Sequence, residues 1–262
     1  MKIFDTHAHY DDDKFDILDC GNRLDTLKEI FDSGIVSHIV GMGVDLESSK
    51  RQLYYAEHFE GFYAACGFHP ENLELRQDLA RSMDQLEKLL SHPKAVAIGE
   101  IGLDYYWKDN PPKSLQKTWF EAQLELAKKL DLPVVVHDRE AHGDTFETIC
   151  RYPDVTGVFH CYSGSPETAV QLAKRGWYIS FTGNVTYKSS KKLWESIKAM
   201  PRDRIMIETD CPYMSPLPLR GKLNDSRNLI YSAQKGGELL GITTEEFIDL
   251  TTENAMRFFR IK

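Results

Sequence analysis

Leu132-Pro133-Val134-Val135-Val136, followed by His137, is the stretch that decides the fold. Its uncharged, β-branched residues predict a strand that is buried on both faces. Strands of this kind occur in parallel sheets that are covered by helices on both sides. The stretch therefore predicts an α/β protein in which a histidine stands at the carboxyl end of a buried strand.

Seven further apolar runs alternate with helical patterns along the 262 residues. The first predicted strand starts at Ile3, and the others cover residues 35–42, 62–68, 95–99, 132–136, 155–160, 177–181 and 204–208. Apolar residues spaced three and four apart predict helices between them, and two more at about 226–240 and 244–259. Eight strands without a Pro/Gly/Ser linker predict a TIM (β/α)8 barrel that forms a single domain, residues 1–262. An open doubly wound sheet is the alternative, because periodicity does not decide closure.

The composition is that of a globular protein, with 42% hydrophobic and 27% charged residues. A net charge of −8 argues against a protein that coats nucleic acid by charge alone, although an enzyme with a local basic groove remains compatible with it. Five scattered cysteines, Cys20 among them, form no C-x-x-C pair, so we expect a reduced cytoplasmic protein. No signal peptide or run of 18 apolar residues is present, so we expect neither secretion nor membrane insertion.

Polar groups follow the predicted strands at their carboxyl ends. His7 and His9 are two residues apart, so in an extended backbone both imidazoles point to the same side and form a ready metal chelate. The other strand ends carry His69, Glu100, His137, His160 and Asp210. Because the active site of an α/β barrel lies at the carboxyl ends of its strands, we expect these groups to converge on one barrel mouth.

Six of these groups suit hydrolysis that depends on divalent metal ions. The predicted metal ligands are His7, His9, Glu100, His137, His160 and Asp210. Imidazole and carboxylate fit zinc, manganese or magnesium, and six ligands exceed what one tetrahedral ion needs. Two divalent ions that share Glu100 would use all six and would activate water for attack on a phosphoryl or acyl centre. Asp210 could also accept the proton of that water, so Glu100 and Asp210 are the predicted catalytic residues.

A histidine taken alone is more often a hydrogen-bonded core or surface group than a ligand. We interpret His38, His58, His92 and His142 in that way. His69 differs from these four because Gly67-Phe68-His69-Pro70 places it at a strand exit that faces the same mouth. We therefore predict that His69 contacts the substrate.

Eight segments in chain order resemble the motifs of one family. They are FDTHAHYD (4–11), GFHP (67–70), GEIGLDYY (99–106), VVHDRE (135–140), HCYSG (160–164), ETDCPYMSP (208–216), RGKLN (220–224) and ENAMRFF (253–259). Together they resemble the TatD family of metal-dependent hydrolases, a branch of the amidohydrolase superfamily with a TIM-barrel fold. The resemblance implies metal binding at the six residues above. It also implies phosphodiester hydrolysis, as a deoxyribonuclease or 3′-to-5′ exonuclease.

The chain departs from the family pattern at three places. Glu71 stands where the family often has a second histidine, and His137-Asp138-Arg139 stands where it often has His-Ser-Arg. Asn224-Asp225-Ser226 replaces the usual Asn-Glu-Pro. None of these changes falls on a predicted ligand, but each alters charge near the expected substrate, so substrate choice is what they put in doubt.

Basic and aromatic residues on the expected catalytic face favour a nucleic acid as the partner. Arg139, Arg220 and Lys222 are predicted to contact substrate phosphates, and Lys188, Lys191 and Lys192 form a further basic cluster. The aromatic residues that could stack on unpaired bases are Tyr105, Tyr106, Trp107 and Tyr187. In the opposing interpretation the lysines form a solvated face and the aromatic residues pack a loop.

The leading hypothesis is a metal-dependent phosphodiesterase that acts on DNA or oligonucleotide ends, single-stranded ones above all, with no obligate protein partner evident. An acyl or amide hydrolase, such as an aminoacyl-tRNA deacylase, is the second hypothesis, because activated water attacks carbon as readily as phosphorus. A non-catalytic module with structural metals is the third. It is disfavoured because structural zinc sites use cysteine-rich shells that this sequence lacks.

Overall fold

Eight parallel strands form the barrel in the computed structural model, which describes residues 2–16 and 22–262. The strands are β1 (Ile3–Ala8), β2 (Val36–Met42), β3 (Phe62–Cys66), β4 (Ala95–Asp104), β5 (Val134–Arg139), β6 (Gly157–Phe159), β7 (Tyr178–Phe181) and β8 (Ile205–Ile207). Each strand pairs with the next strand along the chain. This order, with helices between the strands, confirms the predicted TIM-barrel class.

The barrel closes where β1 meets the segment that follows β8. A parallel bridge joins Ala8 to Cys211, and the His9 amide donates to the Cys211 carbonyl at 2.8 Å. The Asp210 amide donates to the His7 carbonyl at 2.9 Å, and the Thr6 hydroxyl donates to the Ile207 carbonyl at 2.9 Å. Closure excludes the open doubly wound sheet, and it places residue 7 beside residue 210.

Nine α-helices occur in the described part of the chain, and most of them cover the outside of the barrel. They are α1 (Arg23–Asp32), α2 (Leu46–His58), α3 (Leu79–Leu90), α4 (Lys113–Leu130), α5 (His142–Cys150), α6 (Pro166–Lys174), α7 (Lys191–Ala199), α8 (Leu229–Leu240) and α9 (Thr244–Phe259). Side-chain caps fix several starts: Asp45 accepts from the Ser48 amide at 2.7 Å before α2, and Thr243 accepts from the Glu246 amide at 3.1 Å before α9.

The decisive stretch of β5 is buried on both faces, as its composition predicts. Val134 and Val136 pack towards the surrounding helices, whereas Val135 joins an interior cluster to which every strand contributes. Phe258 and Phe259 of α9 belong to that interior cluster, and Phe259 stacks on Phe4 of β1 with centroids 5.9 Å apart. Helix α9 therefore closes the end of the barrel opposite the predicted mouth.

The structure differs from the prediction at β4, which continues to Asp104 instead of ending at Gly99. The pairing of β4 with β5 shifts register between Ile98 and Ile101, so Glu100 lies at an irregularity inside the strand and not at its end. Such irregularities re-aim side chains and are common beside active sites. Sequence periodicity does not show them, because the residues on both sides of the shift are apolar.

Two further expectations concern the surroundings of the protein. Within residues 2–16 and 22–262, none of the helices combines the length and the apolar composition that crossing a bilayer requires. Cys66, Cys150, Cys161 and Cys211 are free thiols, and Cys20 lies outside the described residues.

Candidate metal centre

Glu100 lies at the centre of a buried cluster of histidines inside the barrel mouth. It is 3% exposed, and its two carboxylate oxygens face different groups of imidazoles. Strands β1, β4 and β5 and the segments after β1, β3, β6 and β8 supply the cluster, which consists of His7, His9, His69, Glu100, His137, His160 and Asp210. The barrel thus brings together all six predicted ligands, and it adds His69.

The Oε2 side of Glu100 faces the two histidines of β1 and its end. His7 Nε2 lies 3.2 Å from Oε2, and His9 Nε2 lies 3.4 Å from it. Asp210 Oδ1 lies 3.5 Å from both of these nitrogens, which are themselves 3.0 Å apart. The expected projection of His7 and His9 to one side is therefore present, and Asp210 meets them there. Asp210 adopts a left-handed backbone conformation (φ 55°), which turns its carboxylate towards the cluster.

The Oε1 side of Glu100 faces the other three histidines. His137 Nδ1 and His160 Nε2 each lie 2.8 Å from Oε1 and 3.2 Å from one another. His69 Nε2 lies 3.4 Å from the same oxygen, and its ring packs edge-on against that of His137 at 4.4 Å. One carboxylate therefore bridges two sets of imidazole nitrogens.

The residues present fit divalent metal ions. Three overlapping groups, His7–His9–Glu100, His69–Glu100–His137 and His7–His160–Asp210, each offer ligand atoms within 4.8 Å of one another. Within the described residues, every ion-pair partner of Glu100 and Asp210 is a histidine and none is a lysine or arginine. Buried carboxylates require a compensating cation, and this nitrogen and oxygen donor set is the one that zinc, manganese and related ions use.

The pKa values of the cluster residues also indicate that positive charge stabilises the buried carboxylates. Burial raises the pKa of Glu100, but the facing histidines outweigh burial and hold that pKa well below its ordinary value. Burial lowers the pKa of His9, yet hydrogen bonds to Asp210 and Glu100 raise it to about 10. Burial lowers the pKa of His69 to about 4, so its imidazole is neutral at pH 7. Without metal, protons on histidine supply the charge that a cation would supply.

A cavity of about 560 Å³ opens above this cluster. Besides cluster residues, it is lined by Asp11, Asp12, Val44, Glu71, Asn72, Trp107, Arg139, Tyr213 and Met214. Arg139, one of the predicted substrate contacts, is therefore at the mouth. Arg220 and Lys222 are not among the lining residues, and the Arg220 guanidinium packs over the Tyr187 ring at 4.5 Å. Whether His69, Arg139, Arg220 or Lys222 contacts substrate stays a prediction.

The aromatic residues of the predicted stacking set occupy different positions. Trp107 lines the cavity. The Tyr105 hydroxyl donates to Asp144 at 2.8 Å, and the Tyr187 hydroxyl donates to the Ser215 carbonyl at 2.7 Å, so these two rings are tied into loops. Tyr213 also lines the cavity, although Asp210 is the only residue of its motif, ETDCPYMSP, that the sequence predicts to belong to the site.

Comparison with known proteins agrees with the geometry. The family model described as TatD related DNase matches residues 4–260. The chain belongs to the TatD family of metal-dependent hydrolases. It is 40% identical to the uncharacterized metal-dependent hydrolase YabD of Bacillus subtilis (strain 168), over 99% of each chain. Two similar crystal structures are the TatD homolog YjjV of Escherichia coli K12 (29% identity, TM-score 0.88, covering 99% of this chain and 98% of that one) and a TatD family hydrolase of Entamoeba histolytica (26%, 0.85, 98% of each).

Two carboxylates of this TatD-family centre support histidines from behind, and neither is among the site residues predicted from the sequence. Asp104 Oδ2 lies 2.9 Å from His137 Nε2, the nitrogen that faces away from Glu100. Glu208 Oε1 lies 3.4 Å from His160 Nδ1, and it accepts a hydrogen bond from the Cys161 amide at 2.6 Å. Carboxylates behind ligating imidazoles fix the ring orientation. Asp104 lies in the GEIGLDYY motif and Glu208 lies in the ETDCPYMSP motif, and these positions are the only sequence features that point to the two carboxylates.

A third carboxylate, Asp5, holds the seam between β1 and the segment after β8. It is fully buried and accepts from the Thr209 amide at 2.9 Å, from the Thr209 hydroxyl at 2.6 Å and from the Ser226 hydroxyl at 2.6 Å. Asn224 stabilises the same segment, because its side-chain amide donates to the Thr209 carbonyl at 3.1 Å and to the Tyr213 carbonyl at 2.8 Å. Thr209 precedes Asp210, so Asp5 and Asn224 set where that ligand stands.

Proposed function

We propose that the chain is a divalent-metal-dependent phosphodiesterase that acts on DNA or oligonucleotide ends as a 3′-to-5′ exonuclease. The observation that carries the proposal is the convergence of five histidines on the two oxygens of Glu100, with Asp210 beside His7 and His9 and the exposed Arg139 guanidinium at the same mouth. The family description, TatD related DNase, supports DNA as the substrate.

Two divalent ions, magnesium, manganese or zinc, are the cofactors of the proposed reaction. His7, His9 and Asp210 would hold one ion at Glu100 Oε2, and His137 and His160 would hold the other at Oε1, with His69 beside it. When bound, such a pair of ions lowers the pKa of water and draws negative charge from the phosphoryl oxygens.

The chain's own residues supply proton transfer and substrate orientation. The Asp210 side chain is 18% exposed at the inner end of the cavity, so it can reach both the cluster and an incoming water. Burial raises the pKa of Asp210, but its hydrogen bond with His9 and the charges of His7 and His160 lower that pKa below its ordinary value. A carboxylate that is ionised at neutral pH in this position can accept the proton of the attacking water.

Arg139 is the proposed phosphate ligand at the mouth. It is the last residue of β5, two residues beyond His137. Its carbonyl accepts from the Tyr105 amide at 2.9 Å, whereas within the described residues its guanidinium forms no ion pair or hydrogen bond and packs over the Tyr106 and Trp107 rings. Its planar set of N–H donors is therefore available for bidentate contact with phosphate oxygens. Arg220 and Lys222 lie outside the cavity lining, so in this proposal they contact phosphates further along the strand.

The proposal includes a cytoplasmic location and activity without an obligate protein partner. The free thiols of Cys66, Cys150, Cys161 and Cys211 support a reducing compartment.

The test is metal reconstitution with three substrates. The protein is stripped of metal, Mg²⁺, Mn²⁺ or Zn²⁺ is restored, and turnover is measured on end-labelled single-stranded DNA, a generic phosphodiester and a carboxyl ester. We expect metal-dependent shortening of the DNA from its 3′ end, and we expect an Asp210→Asn variant that still binds metal to lose it. Metal-dependent cleavage of the carboxyl ester alone would overturn the proposal in favour of an acyl hydrolase.

A further inference from the structure

Exposed aromatic side chains concentrate at the mouth of the barrel. Of the large apolar residues that the described part of the chain exposes, five lie on loops that follow strands at the catalytic face: Leu75, Tyr106, Trp107, Tyr213 and Leu217. Trp107 is 53% exposed and Tyr213 is 42% exposed, and both line the cavity above the metal cluster. Large aromatic surface left open beside a reaction centre marks a place where a ligand is bound.

Tyr213 is held in place by its neighbours. Its hydroxyl donates to Asp12 at 2.6 Å, and its amide donates to the Asp210 carbonyl at 3.0 Å. The Lys14 ammonium lies 3.8 Å from the ring centroid. The ring is therefore fixed three residues from a predicted metal ligand, and a partner that stacks on it loses little side-chain entropy.

Trp107 belongs to a second rigid unit with Tyr106 and Arg139. The two aromatic rings pack edge-on with centroids 4.7 Å apart, and the Arg139 guanidinium lies 3.9 Å from the Tyr106 centroid and 5.4 Å from that of Trp107. Tyr106 is not among the cavity-lining residues, whereas Trp107 and Arg139 are. Tyr106 thus supports the guanidinium, and Trp107 presents aromatic surface to the cavity.

The charge of the cavity decides what part of a substrate occupies it. Outside the metal cluster it is lined by three carboxylates, Asp11, Asp12 and Glu71, of which only Asp11 pairs with an arginine, Arg51 at 3.1 Å, within residues 2–16 and 22–262. Like charge repels a second phosphate from this space. This repulsion favours a neutral group of the substrate in the space that Trp107 and Tyr213 line, when its phosphodiester reaches Arg139 and the metal cluster. In a nucleotide that neutral group is the planar base.

We propose that Trp107 and Tyr213 form a stacking slot for the unpaired base of the nucleotide whose phosphodiester lies at the metal cluster, while Arg139, supported by Tyr106, binds the phosphate. This inference rests on the proposed phosphodiesterase function. It assigns a neutral, planar recognition element to a site that otherwise recognises charge, so the base, and not the phosphate alone, determines affinity.

Matched oligonucleotides test the slot. One carries a normal 3′-terminal nucleotide and the other a tetrahydrofuran abasic residue there, and a second pair carries the change at the 5′ end. We expect the metal-loaded wild-type enzyme to prefer the base-bearing 3′ end by about 5- to 150-fold in kcat/KM, the range of one stacked base. Trp107→Ala and Tyr213→Ala should each reduce that preference, the ratio of kcat/KM on the base-bearing end to kcat/KM on the abasic end, at least severalfold and mainly through KM.

Control variants separate stacking from general damage. Trp107→Phe and Tyr213→Phe keep a ring and should keep the preference. Tyr54→Ala, which removes a tyrosine that is 48% exposed on α2, should leave kcat/KM unchanged on both substrates. Tyr106→Ala should slow both substrates alike, because it acts through Arg139. Equal cleavage of base-bearing and abasic ends by wild type overturns the slot, whereas no cleavage of any phosphodiester overturns the proposed function.

A binding measurement avoids dependence on turnover. A dinucleotide with a non-hydrolysable phosphorothioate linkage is titrated into the metal-loaded protein while tryptophan fluorescence is recorded. We expect the signal to be quenched in wild type and in Tyr54→Ala, and to be lost in Trp107→Phe. Unchanged quenching in Trp107→Phe would place the base elsewhere and overturn the slot.

Discussion

The two sides of Glu100 are held in different ways. On the Oε1 side, His137 and His160 each have a carboxylate behind the ring, Asp104 at 2.9 Å and Glu208 at 3.4 Å. The far nitrogens of His160 and His7 are both buried without a hydrogen-bond partner in the described part of the chain, so His160 has only the ion pair with Glu208. On the Oε2 side, the far nitrogen of His7 has no such ion pair within those residues. The position of that side depends instead on main-chain and side-chain contacts across the seam between β1 and the segment after β8.

This contrast follows from the construction of the barrel. Strand β5 pairs with β4 on one side and with β6 on the other, so His137 in β5 and His160 after β6 need only rotational control, which a carboxylate at the far nitrogen gives. Strand β1 meets the segment after β8 through an isolated bridge, so side chains that cross the seam help to fix the position of Asp210 relative to His7. The two halves of the site should therefore fail in different ways when their supports are removed.

Removal of Glu100, the carboxylate that both halves of the site share, should have the largest effect, because both halves lose a ligand at once. Glu100→Ala leaves both imidazole groups without their common oxygen, so we expect loss of both ions and a fall in kcat of more than about 100-fold, beyond the cost of losing a supporting group. Metal content by mass spectrometry and circular dichroism measure the effect. A folded variant that retains near-normal turnover would refute the shared-carboxylate arrangement.

Loss of the seam support should damage the Oε2 side selectively. Asp5→Asn replaces an acceptor oxygen with a donor that opposes Thr209 and Ser226, so we expect a loss of about 1–3 kcal/mol in the free energy of unfolding. We also expect one ion to weaken by about 10- to 100-fold while the other is retained. Isothermal titration of the metal measures this.

A matched control for Asp5→Asn is Asp138→Asn, which changes another mostly buried carboxylate that bonds His142 and Thr145 instead of the cluster. It should leave both metal affinities within about threefold of wild type, well short of the effect expected for a supporting group. Equal weakening of both ions by Asp5→Asn would contradict a seam-specific role.

Loss of a rear carboxylate should have a smaller effect, confined to the Oε1 side. Asp104→Ala frees His137 to rotate, so we expect the ion at Oε1 to weaken by about tenfold and the ion at Oε2 to be unchanged. Glu208→Ala should act in the same direction through His160. A stoichiometry titration resolves the two classes of ion, and weakening of the Oε2 ion alone would reverse the assignment.

The smallest effect concerns protons in the metal-free protein. Burial lowers the pKa of His9, but Asp210 and Glu100 raise it from its ordinary 6.5 to about 10, so the folded state holds this proton more tightly than the unfolded state. The resulting stability is complete below pH 6.5 and is lost as the pH rises through 10. The free energies of unfolding of wild type and His9→Gln, measured by urea denaturation, should therefore converge as the pH rises from 6.5 to 10. A constant difference across this range would refute the pairing.

Much of this protein follows from local sequence. The β-branched run at 132–136 predicted a doubly buried strand, and eight such strands predicted the barrel class. His7 and His9 were predictable as a pair because an extended backbone projects alternate residues to one side. The other ligands were predictable by type, since chemistry-bearing residues collect at the carboxyl ends of barrel strands.

Other features depend on contacts between residues that lie far apart in the chain. Asp5 meets Thr209 and Ser226 across more than 200 residues, and no local pattern encodes such a contact. The extension of β4 past Glu100 and the place of Tyr213 beside the cavity likewise depend on pairing and loop packing. The sequence by itself determined which chemical groups are available and on which strands they stand. Only the closed barrel decided which oxygen of Glu100 each histidine faces, because closure alone fixes distances between strands.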